Sequence, residues 1–153
     1  MIMSHDIRKG RTSEIRLPKG NWIQPDEFSD SVITAIRYHE NGRAAISFIN
    51  VVSRKIMGEW MLPDGIQPVQ TTATGGRIYV AGIAEGGYGI WCVEDGIWKD
   101  VLAAQPVSIT SLDHTAEGLI TFSSDRNGVG EFYSLNPETG ELLQLTNTRY
   151  GGI

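Results

Sequence analysis

The sequence predicts an all-β chain built from three copies of one small antiparallel sheet, and three observations carry that prediction. First, short runs rich in β-branched and aromatic residues, such as "AAISFINVV", "RIYVAGI" and "LITFSS", are punctuated by Gly, Asp and Asn, as strands joined by tight turns are. Second, "GEWMLPDG" (58–65), "GIWCVEDG" (89–96) and "GEFYSLNPETG" (130–140) repeat one another, with Trp60, Trp91 and Phe132 in one column and closing glycines at Gly65, Gly96 and Gly140. The intervals Gly42 to Gly65, Gly76 to Gly96 and Gly118 to Gly140 are 23, 20 and 22 residues. Third, the apolar positions do not alternate: Ile78 to Ala81 and Ile90 to Val93 are continuous runs, the pattern of strands covered on both faces.

Small sheets covered on both faces and recurring at roughly 40 residues are propeller blades. The expected architecture is therefore a partial β-propeller of about three antiparallel blades, completed by oligomerisation or by sequence beyond this chain. The expected divisions are an N-terminal lead at 1–31 with a candidate edge strand, then the propeller part at 32–153 with blades at 32–66, 67–104 and 105–146 and the start of a link.

Each element has its own justification. Setting "VITAIRYHENG" (32–42) over "VSITSLDHTAEG" (107–118) brings Ile33, Thr34 and Ile36 onto Ile109, Thr110 and Leu112. "DEFSDSVITAIRYHENG" also fits a helix, with Phe28, Val32 and Ile36 four apart, so residues 25–31 read either way. "QPVQTT" (67–72) and "QPVSIT" (105–110) mark the starts of the second and third units. The second unit continues as "DGIWKDVLAAQPV" where the first reads "DGIQPV", so the stretch Trp98 to Ala104 has no counterpart in the first. The first blade is thus expected to lack its outermost strand, leaving an edge that needs cover. "TSEIRLPKG" (12–20), where Ile15 and Leu17 alternate with Glu14 and Arg16, is the expected edge strand, for this blade or for one in another copy.

Composition narrows the function classes. A net charge of -5 with no basic cluster beyond "IRKGRTSEIR" argues against a nucleic-acid binder, which needs a concentrated basic face. No run approaches the 18 or so apolar residues of a membrane span, and "MIMSHDIRKG" has no secretory apolar stretch, so a soluble chain without a signal peptide is expected. The single cysteine, Cys92, permits no intrachain disulfide and reads as a core residue.

No catalytic constellation is legible. His5, His39 and His114 lack metal-ligand spacing, and there is no G-x-S-x-G, P-loop or H-E-x-x-H, so no catalytic, cofactor-binding or metal residue is assigned. Asp125, Asn127 and Glu131 are spaced like the start of a calcium loop but lack its remaining ligands, and "DRNG" reads as a hairpin turn, with Asp125 bonding amides of its own turn. Three residues are candidate ligand or partner contacts. Trp22 and Trp98 lie outside the repeated aromatic column, and His114, set beside Tyr38 by the repeat, ends an inner strand near the expected axial channel.

"ITFSSDRNGVGEFYSLNPETGELLQLT" resembles the TolB-like, tricorn-like β-propeller repeat. Phe122, Ser123, Ser124, Asp125, Arg126 and Gly128 match its Phe-Ser-Ser-Asp-Arg-x-Gly, Tyr133 its second strand, Thr139-Gly140 its turn, and Gln144-Leu145-Thr146 its close. Only residues 118–146 match well, because "GIAEGG" and "INVVSRK" replace the Asp-Arg signature in the other units. "LTNTRYGGI" is similar to the family's link into a further blade, so a piece of a larger propeller is expected. The resemblance implies a non-catalytic scaffold for protein or peptide partners, with a cell-envelope or periplasmic setting. The alternative it implies is the propeller part of a serine peptidase, prolyl-oligopeptidase-like or tricorn-like, whose catalytic domain lies outside this chain. A homo-oligomer that completes the ring is the further expectation.

Overall fold

Among the described residues, the apolar runs between turn glycines form strands. The computed structural model describes residues 2–6, 11–15 and 21–147, and among them there is no helix. The chain divides into two compact units, residues 1–64 and 65–153.

The first unit holds β1 (Ile2–Asp6) and β2 (Arg11–Ile15), paired with each other alone, and a four-stranded antiparallel sheet. That sheet is ordered β3 (Asn21–Ser29), β4 (Val32–Tyr38), β5 (Ala44–Asn50), β6 (Lys55–Met61). Two expectations are corrected here. The first sheet begins at residue 21 rather than 32, because the ambiguous stretch before Val32 is a strand, and it supplies the fourth member expected from 12–20. It does so beside β4, from the upstream side. Residues 11–15 pair instead with β1, in the register Ile2 with Ile15, and residues 16–20 lie outside the described part. β4 accordingly stands second in its sheet, so its alignment with a first strand at 109–114, and that of Tyr38 with His114, is one strand out.

The pleat gives that first sheet two covered faces. Ala35, Ala45, Ser47 and Ile49 are buried on one, packed in part against Trp22, Ile33 and Ile56; Thr34, Ile36 and Ile46 are buried on the other. Phe28, Phe48 and Trp60 stack edge-on, with centroids 5.2 and 4.6 Å apart, geometry that aromatic quadrupoles favour.

The second unit holds two such sheets: β7 (Gln67–Thr74), β8 (Arg77–Ala84), β9 (Gly87–Glu94) and β10 (Ile97–Gln105), then β11 (Ile109–His114), β12 (Ile120–Ser124), β13 (Glu131–Leu135) and β14 (Leu142–Gln144). Their core is continuous. Tyr79, Ala81, Ile90 and Cys92 of one sheet pack on Ile109, Ile120, Phe122, Tyr133 and Leu135 of the other. Burial raises the pKa of the Cys92 thiol, as expected of a packed rather than reactive cysteine.

Glycines let the outer strand of the second sheet cross closely. A Cβ on Gly87, at φ +122°, would stand 1.9 Å from the Gln105 carbonyl oxygen, and one on Gly89 would stand 2.9 Å from that of Leu102. β10 shifts register beside both, between Asp100 and Leu102 and between Leu102 and Gln105, so the "GGYG" run is the condition for that irregular edge.

Candidate functional site

The repeat signature turns out to be a structural clasp. The Asp125 carboxylate accepts a hydrogen bond from the Ser108 amide at 2.8 Å, seventeen residues upstream, so it fastens the entry of β11 to the β12–β13 turn rather than serving that turn alone. That bond is the main reason its pKa is lowered, since an amide donor favours the charged form. Gly128, at φ +86°, supplies the tight turn. The closing Gln-Leu-Thr fastens the other side: the Asn127 side chain donates to Gln144 at 2.7 Å, the Phe132 amide donates to the Thr146 hydroxyl at 3.0 Å, and that hydroxyl donates to the buried Glu131 carboxylate. Asp125, Asn127 and Glu131 thus each have a structural duty, and among the described residues no group of three or more His, Cys, Asp or Glu could hold a metal.

A slip of one residue decides which faces are open. In the second sheet Ile78 lies opposite Val93 and Val80 opposite Trp91; in the third, Ile120 lies opposite Leu135 and Phe122 opposite Tyr133. Trp91 therefore corresponds to Tyr133, and Phe132 to Ile90, so the expected column of Trp60, Trp91 and Phe132 does not hold; Trp60 itself lies on the fourth strand of its sheet. Because side chains alternate faces, the slip sends Phe132 to the opposite face of its sheet. Ile90 is fully buried under the third sheet, whereas Phe132 is 48% exposed. Beside it stand Leu143 and Leu145, both more than half exposed, with Thr121 and Ser123. The third sheet thus presents outward the face that the second sheet buries.

A cleft of about 280 Å³ opens within the second unit, among the turns at Gly75, Gly118 and Asn136. Arg77 lines it; its Nε donates to Glu94 at 2.6 Å and its guanidinium also donates to Glu138, tying the second sheet to the third. The two carboxylates raise the Arg77 pKa, and Arg77 lowers that of Glu138. Tyr79, Leu119, Pro137 and Glu117 also line it.

In the first unit Glu59 accepts from Arg37 at 2.8 Å, His39 at 2.9 Å and the Ser47 hydroxyl at 2.9 Å. These donors outweigh desolvation, the largest single influence on it, and its pKa is lowered.

The three candidate contacts lie on three different sheets. Trp22 is half-buried in the first unit, under the Arg37 guanidinium at 5.0 Å. Trp98 lies on β10, opposite Val93, at the far edge of its sheet from β7. His114 ends β11, where its Nδ1 meets the Thr72 hydroxyl at 2.7 Å and lies 3.8 Å from Asp113. Sequence reasoning missed Arg77 and Glu138, whose sixty-one-residue separation leaves no local signal, and missed the exposure of Phe132.

This architecture has solved counterparts. TolB from Acinetobacter baumannii superposes with a TM-score of 0.74 at 15% identity, over 95% of this chain and 37% of that one. The fold is that of a TolB-type β-propeller segment. A TolB-like protein from Agrobacterium tumefaciens gives 0.63 at 12% identity, over 96% of this chain and 69% of that one. Dipeptidyl peptidase 4 from Porphyromonas gingivalis gives 0.60 at 13% identity, over 95% and 23%. The β-propeller domain of the trilobed protease from Pyrococcus furiosus gives 0.56 at 11% identity, over 96% and 63%. The chain spans little more than a third of the Acinetobacter TolB. No protein-family model and no curated protein matches it in sequence.

Proposed function

We propose that this chain is a non-catalytic β-propeller scaffold that binds a protein partner on the outer face of its third sheet. The occupant is another propeller-type sheet, supplied by a second copy of the chain. One observation carries this reading: Phe132 holds the place in its sheet that Ile90 holds in the sheet before, and Ile90 is covered by a packed sheet. Exposed Phe132, Leu143 and Leu145 with small hydroxyl residues between them make a surface of the kind sheets bury against each other. Light scattering of the full chain at rising concentration tests it. The expected mass climbs above the 16.8 kDa of one chain and returns to it on combining Phe132→Asp with Leu143→Lys. A wild-type chain that stays monomeric throughout removes the proposed occupant.

A second reading rests on the fold likeness to the dipeptidyl peptidase and to the trilobed protease propeller. On it, the chain is the propeller part of a serine peptidase whose chemistry lies elsewhere. Labelling by a fluorophosphonate of the protein isolated from its native source would favour this reading, and its absence would favour the scaffold. The cell-envelope setting implied by the repeat resemblance goes with the scaffold reading, and cell fractionation checks it.

A further inference from the structure

The β4–β5 turn has no part in docking at the third sheet's outer face, and its chemistry makes it a reactive site of its own. It carries Asn41–Gly42, one of two Asn–Gly pairs in the chain; the other, Asn127–Gly128, lies in the β12–β13 turn. An asparagine carboxamide is an electrophile within reach of the next residue's backbone nitrogen, and glycine there has no Cβ to obstruct the approach. Both asparagines are exposed. Both glycines have positive φ, +82° and +86°, and both glycine amides donate to the carbonyl three residues back, to His39 at 2.9 Å and to Asp125 at 2.8 Å. The backbones are therefore alike, and the side chains decide. The Asn127 amide nitrogen, the group that must leave, donates to Gln144 at 2.7 Å. The Asn41 amide nitrogen has no partner among the described residues, and its Oδ1 accepts the Arg43 amide at 3.0 Å. That donor sits where negative charge develops when the carbonyl is attacked.

We propose that Asn41 is a site of spontaneous covalent modification, converted to aspartate and isoaspartate through a succinimide, and that the Asn127–Gln144 clasp suppresses the same reaction at Asn127. The Gly42 nitrogen forms a bond to Asn41 Cγ as its proton passes to water; the Cγ–Nδ2 bond breaks, and the nitrogen takes up a proton and leaves as ammonia. Water then adds to either imide carbonyl and opens the ring. The net change is one water consumed and one ammonia released, with nothing oxidised or reduced. Opening at one carbonyl gives aspartate, and at the other isoaspartate, whose main chain is one carbon longer. Either product adds a negative charge to a chain already at -5, two residues from Arg43, which pairs with Asp64 at 3.2 Å. Isoaspartate also lengthens a turn closed by the His39 amide donating to the Arg43 carbonyl at 2.9 Å.

The test is to age the full chain in neutral buffer and follow the peptides carrying positions 41 and 127 by mass spectrometry, with isoaspartate counted by enzymatic methylation. Both products should accumulate at position 41, and about two- to tenfold more slowly at position 127, the worth of one hydrogen bond. In urea strong enough to unfold the chain the two rates should converge, because the reacting pair is the same. Gln144→Ala, at an exposed position, should raise the rate at 127 towards that at 41 while leaving the rate at 41 unchanged, which also shows that the fold is kept. No product at 41, a rate at 127 equal to or above that at 41 in the folded chain, rates as far apart in urea as in buffer, or a rate at 127 indifferent to Gln144→Ala would overturn the proposal.

Discussion

Asp125 shows how a motif residue acts at a distance. Its carboxylate holds the Ser108 amide, and the energetic consequence is a lowered pKa. Glu59 is lowered likewise by Arg37, Ser47 and His39, and Glu138 by Arg77. A carboxyl whose folded pKa is lowered binds fewer protons folded than unfolded, so stability rises with pH. The contribution is complete above the unfolded values of about 4 and disappears as pH falls through the lowered folded ones. Urea unfolding between about pH 3 and pH 6 should therefore show midpoints that fall on acidification, and Asp125→Ala should flatten that slope. An unchanged slope would mean the Ser108 bond is absent in solution. Glu59→Ala should cost about 1–3 kcal/mol, because the fully buried Ser47 hydroxyl loses its acceptor. The contrast between neighbours is larger still. Phe122→Ala should cost about 3–5 kcal/mol from a fully buried position, while Phe132→Ala should cost under about 1 kcal/mol, and equilibrium unfolding distinguishes the two.

Strands and turns were legible in the sequence because their signals are local. Gly-bounded apolar runs marked β7 to β14, and "WKDVLAA" marked the outermost strand of the second sheet. Pairing order was less legible. Residues 25–31, "PDEFSDS", have no β-branched residue and lead into a helical period at Phe28, Val32 and Ile36, and a strand arriving from upstream at β4 leaves no trace in a repeat alignment read downstream. Aromatic identity also misled: Phe132 resembles Trp91 chemically, but Val80 to Trp91 and Phe122 to Tyr133 are both eleven residues apart, so Tyr133, not Phe132, holds the place of Trp91. Gly87 is the element-scale test. Alanine there combines a disfavoured φ with a Cβ inside contact distance of the Gln105 carbonyl, so Gly87→Ala should cost at least about 2 kcal/mol and raise amide exchange along β10. A loss below about 0.5 kcal/mol would mean the outer strand is not held against β9 in solution.

At the scale of the whole molecule, the sequence disclosed the propeller class and little of its use, because a site in this fold is built from turns far apart in the chain. The Arg77 cleft joins residues 75, 118 and 136, and the open face of the third sheet is visible only once each strand's pairing is known. That face decides between a scaffold that docks a second sheet and an isolated sheet stack with an idle surface. Thiol labelling tests it most directly. With Cys92→Ala as background, Phe132→Cys and Tyr133→Cys are labelled by an aromatic disulfide over a range of protein concentrations. In dilute solution the first should react fast and the second slowly, and the first should slow as concentration rises and copies cover the face. Equal rates at the two positions, or a rate at position 132 that does not depend on concentration, would contradict the docking face.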